Sequence, residues 1–226
     1  MAHGVRARAR AALTAEIKAA ARRQVAESGA ASLSLRAVAR ELGMVSSAVY
    51  RYYPSRDELL TALIVDAYND VGAVAEAAAA GDAPFAERWA AVAGAIRDWA
   101  RRNPHDYALV YGSPVPGYRA PEVTIPAAAR VGVVALGLLE DGVVAGEVRP
   151  DPAAALPAPV RDDLAVLRRA VAPHVPDDVL VRGLGAWAQM FGTITLELFG
   201  HMHNVIHDLD AFFALQMRQA ALRVAG

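Results

Sequence analysis

The chain has 226 residues, 55% of them hydrophobic, and its 23 basic and 24 acidic side chains leave a net charge of −1. This length fits one large domain or a small one followed by a medium one, and the apolar content excludes a disordered chain. The absence of cysteine excludes disulfides, thiol catalysis, thiol redox sensing and cysteine-based zinc sites. The longest charge-free apolar run, Gly183–Leu196, has 14 residues, fewer than the ~18–20 of a membrane helix. We therefore expect a cytoplasmic protein with no membrane partner.

Charge is divided unevenly along the chain. Residues 1–60 carry ten basic and five acidic side chains, a net charge of +5, whereas residues 61–226 carry a net charge of −6. Such asymmetry favours an N-terminal unit that binds nucleic acid, attached to an acidic body. The alternative is chance clustering of charges on solvated helix faces.

The dominance of Ala, Leu, Arg and Glu predicts an all-α fold. In chain order, apolar periodicity and the glycines and prolines that end helices predict helices over residues 14–28, 34–42, 46–52, 55–80, 85–102, 104–111, 124–141, 161–172, 177–200 and 208–224. The Arg-rich stretch before Thr14 predicts a flexible basic arm. Four prolines between residues 150 and 159 predict a stiff connector that is not helical.

Two short helices joined by a tight turn at Gly43 form a helix-turn-helix pattern over residues 34–53. Ser34 is a good N-cap, and the apolar residues after it recur at the spacing of one helix face. In such a motif the second helix enters the major groove of DNA with its N-terminal side chains. The outward residues of that helix, with side chains suited to phosphates and base edges, are Ser46, Ser47, Tyr50 and Arg51.

The next helix begins with a capping box, Ser55-Arg56-Asp57-Glu58, followed by apolar residues. The positive end of its helix dipole offers a further phosphate site. Since the capping box engages Glu58, we expect Arg56 to be directed at DNA.

Residues 31–63 closely resemble the DNA-binding domain of the TetR family of bacterial transcriptional regulators, through the sequence ASLSLRAVARELGMVSSAVYRYYPSRDELLTAL. Arg56 and Tyr53 stand where the family usually has lysine and phenylalanine, which keeps the charge and the ring. The resemblance, strong over residues 14–65, implies a three-helix DNA-binding domain followed by a helical ligand-binding and dimerisation bundle. The DNA contacts that it implies are Arg36, Ser46, Ser47, Ala48, Tyr50, Tyr52 and Arg56, with Tyr50 and Arg56 mainly on phosphate.

We expect residues 1–60 to form the arm and DNA-binding domain, and residues 61–226 the regulatory domain. In the latter, the helix predicted at residues 177–200 has a bulky apolar face and a second one rich in small residues, which permits close approach of a partner helix. The stretch Trp187–Gly200 also resembles the family's long dimerisation helix. We therefore predict a C2 homodimer built as a four-helix bundle from the last two helices of each subunit. The interface residues expected are Gly185, Ala188, Gly192, Thr195, Phe199, Phe212, Phe213 and Gln216; the alternative is a fully internal helix.

Aromatic and soft apolar side chains in the body could line a ligand pocket. The candidates are Trp89, Trp99, His105, Tyr107, Tyr111, Trp187, Met190 and Phe191, with Tyr118 and Gln189 as further possibilities. Each, taken singly, is also an ordinary core residue. Since no basic cluster in the body specifies an anion, a large apolar or aromatic effector is expected.

These features predict a ligand-responsive repressor that binds a palindromic double-stranded DNA operator as a dimer and is released by a small-molecule effector. No catalytic residue and no cofactor are expected. One alternative is a metal-dependent enzyme that uses His201, His203 and His207, although these residues span a helix end and a loop and need not converge. The other is a dimeric scaffold that does not bind DNA.

Overall fold

Good helix formers occupy most of the chain, and in a computed structural model they form ten α-helices among residues 2–226, which the structure describes, with side chains from residue 4 onward. The helices are α1 (Ala2–Ser28), α2 (Leu35–Glu41), α3 (Ser46–Tyr50), α4 (Arg56–Ala79), α5 (Phe85–Arg102), α6 (Pro104–Tyr111), α7 (Ile125–Val144), α8 (Ala158–Val171), α9 (Asp177–Leu198) and α10 (Leu209–Ala225). Short 3-10 turns cover Ala30–Ser32 and Glu122–Thr124. The described residues contain no strand, so the predicted all-α fold is confirmed.

The N-terminal basic stretch is helical, which corrects the prediction of a flexible arm. Helix α1 begins at Ala2 instead of Thr14. Its side chains from Val5 to Ala12 are exposed, so packing does not hold them in place. Alanine and arginine alternate over most of this stretch, and both have favourable helix propensities, so the helix continues outward from the buried turns.

The proline-rich connector is shorter than predicted. Helix α8 begins at Ala158 and contains Pro159 in its first turn, inside the segment that was expected to be non-helical. A proline in the first turn is tolerated because the backbone N–H groups there have no intrahelical acceptor to lose.

The described residues divide into two compact units. The first comprises the chain up to Asn69 together with Asn103–Ala127. Its core consists of the buried side chains Ile17, Ala20, Ala21, Val25, Leu33, Leu35, Val38, Ala39, Val49, Leu59, Leu60, Leu63 and Ile64. Ion pairs surround this core: Asp66 of α4 lies 2.6 Å from Lys18 and 3.2 Å from Arg22, both on α1.

The second unit comprises Asp70–Arg102 and Ala128–Gly226, so α4 contributes residues to both units. In this unit, α5, α9 and α10 pack against one another. Arg97 of α5 donates hydrogen bonds of 2.7 and 2.8 Å to Glu197 of α9, and both side chains are buried. The Arg97 guanidinium also lies 2.8 Å from Asp210 and 4.9 Å from the ring centroid of Phe213. One buried cation therefore joins three helices.

One apolar helical segment, Glu122–Val144, has the length and mean hydropathy (1.6) of a membrane-crossing helix by composition alone. Core helices can pass the same test. Within its unit this helix buries Val131, Leu138 and Leu139, and its Arg130 bonds to Glu76 of α4 at 2.6 and 2.7 Å. These contacts are those of a helix packed inside a helical domain.

Candidate nucleic-acid interface and apolar cavity

The turn between α2 and α3 has the geometry of a helix-turn-helix. The Ser34 hydroxyl accepts a hydrogen bond from the Ala37 N–H at 3.4 Å, which confirms the predicted N-cap of α2. Gly43 has a φ of 64°, a left-handed conformation that glycine adopts without steric cost, and the Met44 N–H bonds back to the Ala39 carbonyl at 2.8 Å. Val49 is fully buried and fixes α3 against the core.

With Val49 facing inward, the opposite side of α3 faces solvent. Ser47, Tyr50 and Arg51 are exposed, while Ser46, Ala48 and Tyr52 are half-buried. Arg36, in the first turn of α2, is exposed as well. The exposed side chains of Arg36, Ser47, Tyr50 and Arg51 are therefore accessible to a partner outside the fold.

Val45 is a candidate contact that sequence reasoning missed. It directly precedes α3 and is 71% exposed, although an apolar side chain gains nothing from water at this position. An exposed methyl-bearing side chain at the entry of a recognition helix can contact the methyl group of thymine. The signal was a valine at an N-cap position, where serine, threonine, aspartate or asparagine is preferred.

Arg56 has an intramolecular role that the sequence did not reveal. Its Nη2 donates hydrogen bonds to the carbonyls of Ala30 and Ala31 at 3.0 and 3.2 Å, and its Nη1 lies 3.4 Å from Asp57. The guanidinium thereby ties the 3-10 turn before α2 to the start of α4. The predicted hydrogen bond from the Glu58 N–H to the Ser55 hydroxyl is present at 3.1 Å.

Tyr52 is covered by the N-terminal helix. The guanidinium carbon of Arg10 lies 5.3 Å from the centroid of the Tyr52 ring, a cation–π arrangement. Because α1 is helical from its second residue, it brings this arginine to the C-terminal side of α3. An arginine expected to lie on a flexible arm therefore lies beside the C-terminal end of α3.

The second unit contains an apolar cavity of about 190 Å³. It is lined by α5, α7, α8 and α9 through Trp89, Gly132, Ala135, Leu136, Leu139, Leu167, Leu180, Gly183, Leu184 and Trp187. None of these side chains carries a charge. Trp89 is 2% exposed, and its indole Nε1 has no hydrogen-bond partner among the described residues.

Of the predicted pocket residues, only Trp89 and Trp187 line this cavity. Trp99 and Met190 are buried in the same unit, and Phe191 stacks on Trp187 with ring centroids 4.8 Å apart. Gln189 donates to Gln216 of α10 at 2.5 Å. Aromatic character alone does not distinguish a cavity wall from ordinary core, so the sequence could not separate these residues from Trp89 and Trp187.

The remaining predicted pocket residues belong to the first unit. His105 is exposed, Tyr107 is fully buried, and Tyr111 packs against Tyr107 and Tyr68 with ring centroids 5.2 and 6.0 Å apart. Burial, reinforced by the neighbouring Tyr68, raises the pKa of the Tyr111 hydroxyl well above its ordinary value. Tyr118 shares a 2.9 Å hydrogen bond with Thr61. These tyrosines form an interior cluster of their own unit.

Helix α9 has an exposed stripe of small and apolar residues, which we call the α9 face. It consists of Val181, Leu184, Gly185, Ala188, Gly192, Leu196 and Phe199. Of the other predicted interface residues, Thr195, Phe212 and Gln216 are half-buried, and Phe213 is only 4% exposed beneath Arg97. Phe213 therefore belongs to the core of its own unit, which corrects its assignment to the interface.

The three C-terminal histidines do not converge. His201, His203 and His207 are all exposed in the turn between α9 and α10. Among the residues whose side chains the structure describes, no three His, Cys, Asp or Glu side chains are placed to hold a metal ion.

Two family models match the chain. One, described as bacterial regulatory proteins of the tetR family, covers residues 17–63, and the other, described as a tetracyclin repressor-like C-terminal domain, covers residues 89–220. An HTH-type transcriptional regulator of Mycobacterium tuberculosis is 44% identical over 221 residues, which span 95% of this chain and 93% of that protein. A regulator of Mycobacterium bovis matches with the same values.

Solved structures extend the likeness to the fold. The structure of a regulatory protein that is 36% identical superposes with a TM-score of 0.76 over 94% of this chain and 97% of that one. A tetR-family regulatory protein from Rhodococcus RHA1 superposes with a TM-score of 0.65 over 93% of this chain and 96% of that one. At 20% identity, the second likeness concerns the fold alone.

Proposed function

This chain belongs to the TetR family of bacterial transcriptional regulators, and from that premise we propose that it is a ligand-responsive repressor which binds a palindromic operator as a homodimer. The observation that carries the proposal is the solvent-facing side of α3, which presents Ser47, Tyr50 and Arg51 beside a fully buried Val49. Serine and arginine side chains at this position can bond to base edges, and tyrosine and arginine can bond to phosphates.

The DNA contacts proposed are divided by role. Ser46, Ser47, Ala48 and Val45 lie at or just before the start of α3, where side chains of a recognition helix meet base edges. Tyr50, Arg51, Tyr52 and Arg36 have larger side chains suited to the sugar-phosphate backbone. Arg56 acts mainly through the turn that it holds, and a contact of its own with phosphate is secondary.

Dimerisation is proposed through the α9 face and the exposed side of α10. A stripe of Gly185, Ala188 and Gly192 lets two helices approach closely, and the flanking Leu184 and Leu196 supply apolar area. Because a two-fold axis relates the two recognition helices of a C2 dimer, its operator has two inverted half-sites.

The effector is proposed to be a small apolar or aromatic molecule that occupies the cavity of the second unit. Repression is relieved when the effector binds more tightly to a dimer whose recognition helices are wrongly spaced for two successive major grooves. By linkage, operator DNA then weakens effector binding by the same factor. Since its target is genomic DNA, we place the protein in the cytoplasm with no membrane partner.

Selection from a library of random double-stranded DNA tests the operator. The protein should enrich an inverted repeat whose half-site centres are separated by ~10–10.5 base pairs or a multiple of that spacing. Enrichment of a site without two-fold symmetry would overturn the dimeric operator.

A filter-binding titration with the selected DNA tests the interface. The association constant should fall steeply with salt, with a slope of about −0.9 for each phosphate contacted. Tyr50→Ala and Arg51→Ala should weaken binding to all sequences, whereas Ser47→Ala should change the preferred base. Arg169→Ala, an exposed arginine of α8, is the matched control and should bind as the wild type does. Binding that does not depend on salt would contradict the proposal.

A further inference from the structure

The cavity of the second unit has a chemical character that narrows its ligand. Its lining residues are aliphatic, glycine or tryptophan, so the two indole N–H groups are the only polar side-chain atoms in the wall. An ionised ligand would lose its hydration there without finding an opposite charge. The ligand is therefore neutral.

The size of the cavity limits the ligand further. At about 190 Å³ it is slightly larger than engineered protein cavities of ~150 Å³ that bind benzene. Helices α7 and α9 approach closely at this wall, where a Cβ at Gly183 would overlap the side chain of Leu139. One aromatic ring with a short substituent fills such a volume, and two fused rings with substituents exceed it.

The Trp89 indole supplies one polar contact. Its Nε1 is a buried donor without a partner among the described residues, and such a group loses the hydrogen bond that it makes to water in the unfolded chain. The ring of Phe85 packs against this indole with centroids 6.2 Å apart, so the indole is held in place. A ligand with a hydrogen-bond acceptor can restore the missing bond.

We propose that the cavity binds a compact neutral molecule built on one aromatic ring and carrying one hydrogen-bond acceptor, which accepts from Trp89 Nε1. Trp187, half-buried at the wall, offers an aromatic face to the ring. This inference rests on the proposed effector response, because it specifies the chemical class of that effector.

Three probes with the same number of non-hydrogen atoms test the inference: acetophenone, isopropylbenzene and benzoate. Acetophenone has a neutral acceptor, isopropylbenzene has none, and benzoate is charged. In titrations of the full-length protein followed by tryptophan fluorescence, acetophenone and isopropylbenzene should bind and benzoate should not. In nitrogen-edited NMR spectra, one of the three tryptophan indole N–H signals should move strongly with acetophenone and only weakly with isopropylbenzene.

Trp89→Phe isolates the hydrogen bond. It should remove the shifted indole signal and weaken acetophenone relative to isopropylbenzene by about two- to tenfold, the range for one neutral hydrogen bond. An unchanged ratio of the two affinities, or binding of benzoate as tight as that of acetophenone, would overturn the inference.

Gly132→Ala tests the location without disturbing the fold. Its new methyl group would lie 3.9 Å from Trp187 Cη2, an ordinary contact, and would occupy part of the cavity. Gly137→Ala is the matched control, since it makes the same change in the same helix and its methyl group meets no atom within 4 Å. Gly132→Ala should weaken both neutral probes at least threefold and Gly137→Ala should not; equal effects would place the site elsewhere.

The operator titration separates this inference from the proposed function. If the probes bind as expected but leave operator affinity unchanged, the site stands and the effector response fails. If another class of molecule releases the operator and Trp89→Phe does not alter that release, the response stands and the cavity inference is overturned.

Discussion

The two units of this protein differ in where their charged and apolar side chains lie. In the first unit the ion pairs of Lys18 and Arg22 with Asp66 lie at the rim with side chains about a quarter to a third exposed, and the solvent-facing side of α3 is polar. In the second unit the Arg97–Glu197 pair is less than a tenth exposed, while apolar residues occupy the α9 face and the cavity. The first arrangement suits a charged partner outside the fold, and the second suits apolar partners.

This difference makes the buried ion pair the most sensitive point of the molecule. Arg97→Ala removes both hydrogen bonds that the buried Glu197 accepts from this arginine, and breaking a buried pair in this way costs about 3–5 kcal/mol. We expect that loss in the free energy of unfolding, measured by urea denaturation at one fixed protein concentration.

Arg101→Ala is the control for this prediction, because Arg101 lies 3.8 Å from Glu197 and 3.0 Å from Asp210 but is 50% exposed. An exposed pair contributes about 0–1 kcal/mol, so this variant should be close to the wild type in stability. If Arg97→Ala and Arg101→Ala lose similar amounts of unfolding free energy, the burial of Arg97 does not make it more important for stability than the exposed Arg101.

The α9 face provides the next test of the comparison. Ala188→Glu places a carboxylate at the centre of the proposed dimer interface, where it would lose hydration without a partner. We expect the dimer dissociation constant to rise at least about a hundredfold, equivalent to ~2.7 kcal/mol, and operator affinity to fall with it. Analytical ultracentrifugation measures the oligomeric state.

Ala91→Glu makes the same change at an exposed position of α5. It should leave the protein dimeric and able to bind the operator. A dimer that persists in Ala188→Glu and dissociates in Ala91→Glu would move the interface from α9 to α5.

Two arginines of the first unit allow a structural role to be separated from a DNA-binding role. Arg56→Ala removes the hydrogen bonds to the carbonyls of Ala30 and Ala31, and we expect it to lower the free energy of unfolding by about 1–2 kcal/mol as well as weakening DNA binding. Arg36→Ala should change stability by less than about 0.5 kcal/mol and should weaken DNA binding with a shallower salt dependence.

Thermal denaturation without DNA and filter binding at several salt concentrations measure the two effects. Arg56→Lys keeps the charge but loses the forked geometry that reaches both carbonyls. Compared with Arg56→Ala, it should therefore restore more of the DNA affinity than of the stability. Full stability in Arg56→Ala would show that the observed hydrogen bonds do not hold the turn.

Local rules predicted the first unit well because its signals lie within one helical turn. The Ser34 cap, the left-handed Gly43 and the buried Val49 each depend on residues no more than a few positions away. The intramolecular role of Arg56 was missed because the carbonyls that it bonds lie 25 and 26 residues earlier in the chain. The N-terminal extent of α1 was missed because its first turns are exposed, and an exposed helix has no apolar periodicity in its sequence.

In the second unit the same rules found the helices but not the cavity. The cavity is made by four helices, and its lining includes Gly132, Leu139 and Leu167, which no local pattern distinguishes from core. Phe213 was placed outward because α10 is apolar on more than one side, so its orientation depends on the position of Arg97 on another helix. Sites assembled from several elements require the packing angles, which a single sequence does not contain.

The smallest expected effect concerns Asp210, an exposed carboxylate beside the buried pair. The hydrogen bond from Arg97 is the main cause that lowers the pKa of Asp210 below its ordinary value of 3.8. A carboxylate whose pKa is lower in the folded state stabilises the fold above the unfolded pKa and loses that contribution as pH falls through the folded pKa.

The difference in melting temperature between wild type and Asp210→Asn should therefore be constant above about pH 5 and should shrink below about pH 4. Because Asp210 is open to solvent, salt should reduce this difference. If the difference in melting temperature between wild type and Asp210→Asn does not change with pH, the stability of the fold does not depend on the protonation of Asp210.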